Sequence, residues 1–518
     1  MHSTLHNRHN KENYGRRRQD DVNPLYENNG QGEQLTTSLD DSIITINTIF
    51  TDTPDLILRR LHIKQTGEEA VIVYLDELTD KTCLNHDVLA PLQLESGNPS
   101  GDFITHVGYM KPESEWEKLK LNIMQGYSLL FIQGRGSAYV LDTKGLPQRA
   151  IEDPQQEPSL KGAHQGFIEI GSQNIAMIRR IIPDKELKIR QYVVGRRGQT
   201  TVSLVYLDDV VQPDFVKALE ERIQSIDVDA IINTGELVEF IEDQPLALLP
   251  QVITTERPDT AASQILQGRC AVVVDGSPSV LIAPITFMSF FQTVDDYSSR
   301  WSISSFLRML RIFAFFVAVL LPGFYIAVIS FHFEIIPMKL LLTLGESRGQ
   351  VPFPPFVEAI IMELTLEMLR EAGVRLPAPI GQTVGIVGGI VIGQAVVQAG
   401  LISNVMVIVV AFTAIASFII PNQDMMAAVR LMRFMMMILA SWFGFVGLVV
   451  GMMTFIGRLI TLNSLGNSYS TPMAPFRLTD WKDTLIRVPL WLMNNRPTST
   501  RAAQSRRQGR NRGWKEKE

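Results

Sequence analysis

Residues 312–331 read IFAFFVAVLLPGFYIAVISF. Twenty residues without a charge, at about 1.5 Å per residue in a helix, match the ~30 Å hydrocarbon core of a bilayer. This run makes the chain a membrane protein, and the rest of the reading works outward from it. Pro322 lies inside the run; it lacks an N–H and is expected to kink the helix. A second uncharged run, Phe434 to Gly457, spans 24 residues. Between the two, Thr383 to Ile420 is uncharged for 38 residues, with a soft break at Ala399-Gly400-Leu401-Ile402-Ser403-Asn404. That length reads as a tight hairpin of two short helices, or as a partly re-entrant hairpin. Four crossings with both ends in the cytoplasm agree with the flanking cations. These are Arg300, Arg308 and Arg311 before the first run, and Arg458, Arg477, Lys482 and Arg487 after the last. Under this topology Arg430 and Arg433 lie outside or snorkel at the surface.

The whole chain has 518 residues and a net charge of −6. That average hides a partition. Residues 1–300 carry a net −15, residues 301–457 a net +1, and residues 458–518 a net +8. The acidic first part argues against nucleic acid as a partner, since phosphate binding needs clustered Lys and Arg. The two cysteines, Cys83 and Cys270, exclude a disulfide scaffold or a Cys-based zinc module and fit a reducing compartment. Residues 1–40 are polar throughout, with no apolar core of a signal peptide, and read as a disordered tail.

From residue 41 the composition becomes globular. Val73-Tyr74-Leu75-Asp76 recurs as Val205-Tyr206-Leu207-Asp208, and Gln133-Gly134-Arg135 as Gln267-Gly268-Arg269. The repeats, 132 and 134 residues apart, indicate an internal duplication. Strand-like runs alternate with helical ones such as Phe215–Ile223, so each copy reads as an α/β subdomain. The expected fold is therefore an α+β membrane protein. Its parts are a tail (1–40), two tandem α/β subdomains (41–155 and 160–300), a transmembrane domain (301–457) and a basic cytosolic tail (458–518). The transmembrane domain has about four spans plus an amphipathic or re-entrant helix. Ser499 to Glu518 is expected to be disordered or to touch anionic lipid.

Two patterns bear on function. Gly381, Gly385, Gly389 and Gly393 place one bare stripe on a membrane helix, which allows close backbone approach. It fits intramolecular packing, a subunit interface or a pore-lining helix. The stretch 354–371, PPFVEAIIMELTLEMLRE, starts at prolines and ends near Gly373. Glu363, Glu367, Arg370 and Glu371 share an arc of about 100°, with Glu358 apart from them. The helix is then either interfacial with a solvated face, or, in an oligomer, the source of a carboxylate ring that concentrates cations. Glu358, Glu363 and Glu367 are the candidate ion-path residues. His332, Glu334, Gln394 and Asn404 are expected to cap helices or bond between them. No Walker A, His-Glu-x-x-His, Gly-x-Ser-x-Gly or Cys-x-x-Cys motif occurs. Gly195–Thr201 lacks the ending of a phosphate loop and reads as a turn before a strand. Catalytic, cofactor-binding and metal-binding residues are accordingly expected to be none, and the chain is not read as an enzyme.

Several long stretches resemble the A subunit of GerA-type spore germinant receptors. They include YVVGRRGQTTVSLVYLDDVV (192–211), QGRCAVVVDGSPSVLIAPITF (267–287) and the run from FFQTVDDYSSRW through Pro337. They continue with EAGVRLPAPIGQTVGIVGG (371–389) and VIVVAFTAIASFIIPNQD (407–424). The likeness covers roughly residues 41–490. It implies a multi-pass protein of the spore inner membrane, with the soluble N-terminal part and the C-terminal tail facing the cytoplasm or spore core. It also implies a transporter-like B subunit and a lipoprotein C subunit as partners, a homo-oligomer, and contact with membrane lipid. In such receptors the germinant pocket is attributed to the B subunit, and the A subunit is viewed as passing monovalent cations when triggered. The related SpoVAF branch shares the fold and is thought to amplify the signal. A ligand-gated cation channel that leads to germination is the leading expectation. A SpoVAF-like accessory channel, a transporter and a scaffold subunit are the alternatives. The resemblance implies no cofactor and carries over no enzymatic residue.

Overall fold

The computed structural model describes residues 35–94, 103–145, 161–377, 393–477 and 480–509, with a few single residues besides. By internal packing the chain forms two compact units. The first comprises residues 1–150, 175–190 and 506–518; the second comprises 151–174 and 191–505.

The first unit holds a five-stranded antiparallel sheet. Its strands are β1 (Leu56–His62), β2 (Glu69–Leu75), β3 (Met110–Glu113), β4 (Ser128–Ile132) and β5 (Ala138–Leu141), in the order β1-β2-β4-β5-β3. Strand β2 shows why this sheet is a two-sided layer. Val71, Val73 and Leu75 pack with α1 (Leu39–Ile49) and α2 (Trp116–Met124) on one face. Ala70 and Ile72 pack with Leu84, Val88, Leu92 and Phe103 on the other. A strand covered on both faces must be apolar at every position, which AVIVYL is. Segment 175–190 docks on this unit through buried Arg179, which holds both oxygens of Asp55 at 2.7 and 2.8 Å.

The second sheet repeats the first. Strands β6 (Leu187–Val194), β7 (Thr200–Leu207), β8 (Ile253–Thr255), β9 (Cys270–Val274) and β10 (Val280–Ala283) lie in the order β6-β7-β9-β10-β8. The two sheets share one strand order, and Val73–Asp76 and Val205–Asp208 hold equivalent places in it. The second sequence match does not survive. Gln133-Gly134-Arg135 lies in the turn between β4 and β5, whereas Gln267-Gly268-Arg269 leads into β9. The true counterpart of Gly268 is Gly126, which leads into β4. Both have positive φ, +91° and +89°. A side chain at Gly126 would meet the Leu78 carbonyl, and one at Gly268 would meet the Val210 carbonyl. Gly134 pairs instead with Gly276, at φ +83° and +86°. Residues 195–199 form the β6–β7 turn, as expected.

The second unit also contains a helical region: α7 (Trp301–Phe331), α8 (Met338–Arg348), α9 (Pro355–Arg375), α10 (Asn404–Phe418) and α11 (Gln423–Thr461). Among the described residues, α7 and α11 are long and apolar enough to cross a membrane. Helices α4 (Pro213–Ser225), α5 (Thr234–Ile241) and α6 (Pro258–Ile265) belong to the second α/β layer, and α3 (Gly171–Ile181) precedes it. Pro322 is buried within α7, and the helix runs on through it.

The second long helix is broken. Gly444 in α11 has φ 58° and ψ −134°. A Cβ at Gly451 would lie 2.5 Å from Met436 Sδ. A straight helix holds positions fifteen apart at about 22 Å. The helix therefore doubles back. Its first arm runs along α7, with Arg433 at Ala318 and Gly444 against Phe331. Its second arm returns, with Phe445 near Phe324 and Phe455 near Phe315. Asp424 at one end meets Thr254, and Leu465 beyond the other end is buried in the core of the second sheet. The single span expected over Phe434–Gly457 is thus a hairpin.

Residues 458–505 also differ from the separate basic tail expected. Tyr469, Ser499 and Thr500 are buried, the Tyr469 hydroxyl donates to the Pro250 carbonyl, and the Ala503 N–H donates to the Val210 carbonyl. Apolar residues placed among the cations drive this packing, and the net charge concealed them. Residues 1–34 and 512–518 of the two expected tails lie outside the described residues.

Candidate functional site

Helix α9 carries the candidate carboxylates. Pro355 starts it with a ring pre-set for the first turn. Glu358 sits in that turn and Arg375 in the last, both favourable for the helix dipole. The polar residues before the last turns of the helix do not form a solvated face. Glu358 and Glu363 are 0% and 1% exposed, inside the bundle.

Each carboxylate has an arginine. Glu363 Oε2 lies 2.5 Å from Arg433 Nη1. The same guanidinium donates through Nε to the Ala318 carbonyl of α7 and through Nη2 to Ser417 Oγ of α10. One side chain of α11 thus ties together α7, α9 and α10. Glu358 Oε2 accepts the Ser403 N–H at 2.9 Å, and Oε1 lies 3.1 Å from Arg348 Nη2. Glu367 accepts from Arg370 at 3.0 Å and from Arg430 at 2.8 Å. Arg370 also covers the Phe418 ring, 5.2 Å from its centroid. Glu371 pairs with Arg375 in the exposed last turn.

Ala318 and Tyr325 give the depth of these pairs. Counted from Ile312 at 1.5 Å per residue, the Arg433–Glu363 pair lies about 9 Å into the uncharged run of α7. Glu358 lies near Ser403, whose hydroxyl faces Tyr325 Oη at 3.4 Å, about 20 Å into it. An unpaired charge there costs several kcal/mol, which pairing offsets. Arg433 therefore does not snorkel as expected; it is 2% exposed and held by Glu363. The pairing is incomplete. Glu363 Oε1, Glu358 Oε1, Arg348 Nη1, Arg370 Nε and Arg430 Nε are buried without a hydrogen bond.

Of the glycine stripe, Gly381 and Gly385 lie outside the described residues. A Cβ at Gly389 or Gly393 would meet nothing within 4 Å. His332 stacks on Phe445, with ring centroids 4.8 Å apart. The cap of α10 is Ser403, whose hydroxyl accepts the Met406 N–H, and Asn404 next to it is the first helical residue. The arginine partners of the glutamates are not among the expected site residues. The signal present was parity, since residues 301–457 hold eight cations and seven carboxylates.

A cavity of about 460 Å³ lies where the second α/β layer meets the first arm of α11. Glu157, Glu239, Glu242, Glu256 and Asp424 line it. Burial raises the carboxyls of Glu157 and Glu242 above the usual carboxylate range. Among the described residues, no group of three or more His, Cys, Asp or Glu side chains is placed to hold a metal ion.

Residues 44–499 match the family of Bacillus/Clostridium GerA spore germination proteins, and the chain belongs to that family. Among its relatives is spore germination protein KA of Bacillus subtilis (strain 168). It is 39% identical over 88% of this chain and 85% of the relative. Spore germination protein GerLA of Bacillus cereus is 36% identical over 86% and 92%. An uncharacterized membrane protein of B. subtilis, YfkQ, is 35% identical over 90% and 92%. A crystal structure of the N-terminal domain of the A subunit of the Bacillus megaterium spore germinant receptor GerK3 is 26% identical. It covers 50% of this chain and 99% of that chain, with a TM-score of 0.39.

Proposed function

We propose that this chain is the A subunit of a nutrient germinant receptor of the spore inner membrane, and that its helical bundle passes cations when the receptor is triggered. The observation that carries this reading is the buried array of glutamates and arginines in α9 and α11. Ionisable groups at membrane depth are expensive and mark ion pathways and moving elements. Here they join four helices while Glu363 Oε1 is left without a hydrogen bond, so a rearrangement of α9 would expose acidic groups to a water-filled path. A transporter-like B subunit would supply the germinant signal and a lipoprotein C subunit would complete the receptor. The A subunit itself would be oligomeric and non-enzymatic. Both ends of the bundle would face the cytoplasm or spore core.

The test is cation release from spores after nutrient addition, with receptor level measured in parallel. Glu363→Gln combined with Glu367→Gln is expected to reduce release. Normal release at normal receptor level would exclude these carboxylates from the path.

A further inference from the structure

We propose that residues 480–492, with the first turns of α7, form an anchor that lies on the surface of the anionic bilayer beside the second α/β layer. The segment is clamped in place. Arg308, fully buried, donates to Asp296 at 3.0 Å and to Asp483 at 3.1 Å. Arg311 donates to Asp296 at 2.8 Å. Tyr297 donates its hydroxyl to Asp483 Oδ2 at 2.9 Å. Ser305 Oγ binds the backbone of Arg487 on both sides, donating to its carbonyl and accepting its N–H, each at 3.1 Å.

This clamp fixes the depth of the segment. Ser305 precedes Ile312 by seven residues, which puts Arg487 about 10 Å below the start of the uncharged run. That is headgroup depth, where amphipathic segments bury their apolar side chains. The clamp also changes what α7 shows to lipid. Two arginines and two aspartates cancel inside it, so neither cation faces outward. Apart from Ser302, the exposed side chains of these turns, Trp301 and Phe306 among them, are apolar and continue the lipid-facing surface of the helix downward. Beside them, Ile486, Leu490, Trp491 and Leu492 are 37–49% exposed. The occupant that fits is the membrane α7 already enters. Continuity of the apolar surface argues for it, as do aromatic residues at the boundary and exposed Lys482 and Arg300, which complement anionic headgroups.

The experiment uses the full chain in phosphatidylglycerol-containing nanodiscs, with Cys83→Ser and single spin labels introduced by Ile486→Cys or Leu492→Cys. Cys270 is fully buried and stays. Collisions with oxygen and with a water-soluble nickel chelate report depth. Labels replacing Phe313 on α7 and Leu246, fully exposed on the α/β layer, are the lipid and water references. Both anchor labels should favour oxygen and fall between the references. Lys482→Glu with Arg300→Glu should move them toward water in phosphatidylglycerol and change little in phosphatidylcholine. Labels that match Leu246 overturn the proposal. Labels shielded from both reagents also overturn it, because protein would then cover the surface. Each label replaces an exposed side chain, so folding is not at stake.

Discussion

Two clusters of buried arginines occupy the same unit and behave differently. At the base of α7, every guanidinium nitrogen of Arg308 has a partner on Asp296 or Asp483. In the bundle, Arg433 is as deeply buried, yet its partner Glu363 keeps one oxygen without a hydrogen bond, and Arg430 and Arg370 each keep a nitrogen without one. Arg308 is a staple, since any movement loses bonds and gains none, although Arg487 beside it keeps Nε without a hydrogen bond. An unsaturated cluster can exchange partners at lower cost. The first is suited to holding the soluble layer on the membrane helices, the second to rearrangement.

Breaking either cluster from one side tests this contrast most strongly. Asp296→Asn leaves two buried cations short of a carboxylate, and an uncompensated buried charge typically costs about 3–5 kcal/mol. The expected result is loss of folded protein, read by thermal melting in detergent. Glu363→Gln should also destabilise, by less if Arg433 can turn to Glu367. Adding Arg433→Gln removes the orphaned charge and should recover stability. A double variant no more stable than the single one would contradict the idea that the pair is mainly a matter of charge balance.

The two α/β layers give a smaller contrast. Gly126→Ala and Gly268→Ala both force a side chain into positive φ, worth about 1–2 kcal/mol. Gly126 should suffer more, since its Cβ would sit 2.9 Å from the Leu78 carbonyl, whereas at Gly268 the nearest atoms are Ala502 Cβ at 3.1 Å and the Val210 carbonyl at 3.3 Å. Equal losses, measured by denaturant midpoints, would show that conformation alone matters.

The acidic cavity supplies a pH effect. Burial raises the folded-state pKa of Glu242, so its contribution is fully present below the ordinary carboxylate pKa and is lost as pH rises through the raised value. Glu242→Gln keeps an acceptor for the Gln251 N–H and should flatten that loss, raising the melting midpoint at neutral pH. The smallest effect is chemical. The Cys83 thiol is pushed up to about 11 and that of fully buried Cys270 higher still. Alkylation at pH 8 should label Cys83 slowly and Cys270 only on unfolding.

The sequence made the layers legible because their physics is local. Uncharged runs announce a bilayer, and short apolar runs announce strands. Register was less legible. The Gln-Gly-Arg match was an accident of three residues, whereas the true equivalence of Gly126 and Gly268 lies in backbone angles and carbonyl contacts. The site was half legible. The glutamates of α9 stood out as charges in an apolar region, but the partner of Glu363 lies 70 positions away. Only the fold shows that the polar arc turns inward.

Gly444 decides a matter larger than itself. A straight helix of 39 residues would be about 58 Å long, nearly twice the hydrocarbon thickness. It would also deliver residues 462–505 to the face of the membrane opposite the second sheet, which they complete. One glycine with a backbone conformation that other residues rarely adopt therefore sets the parity of the topology. Through that parity it determines whether the second layer can close its own core.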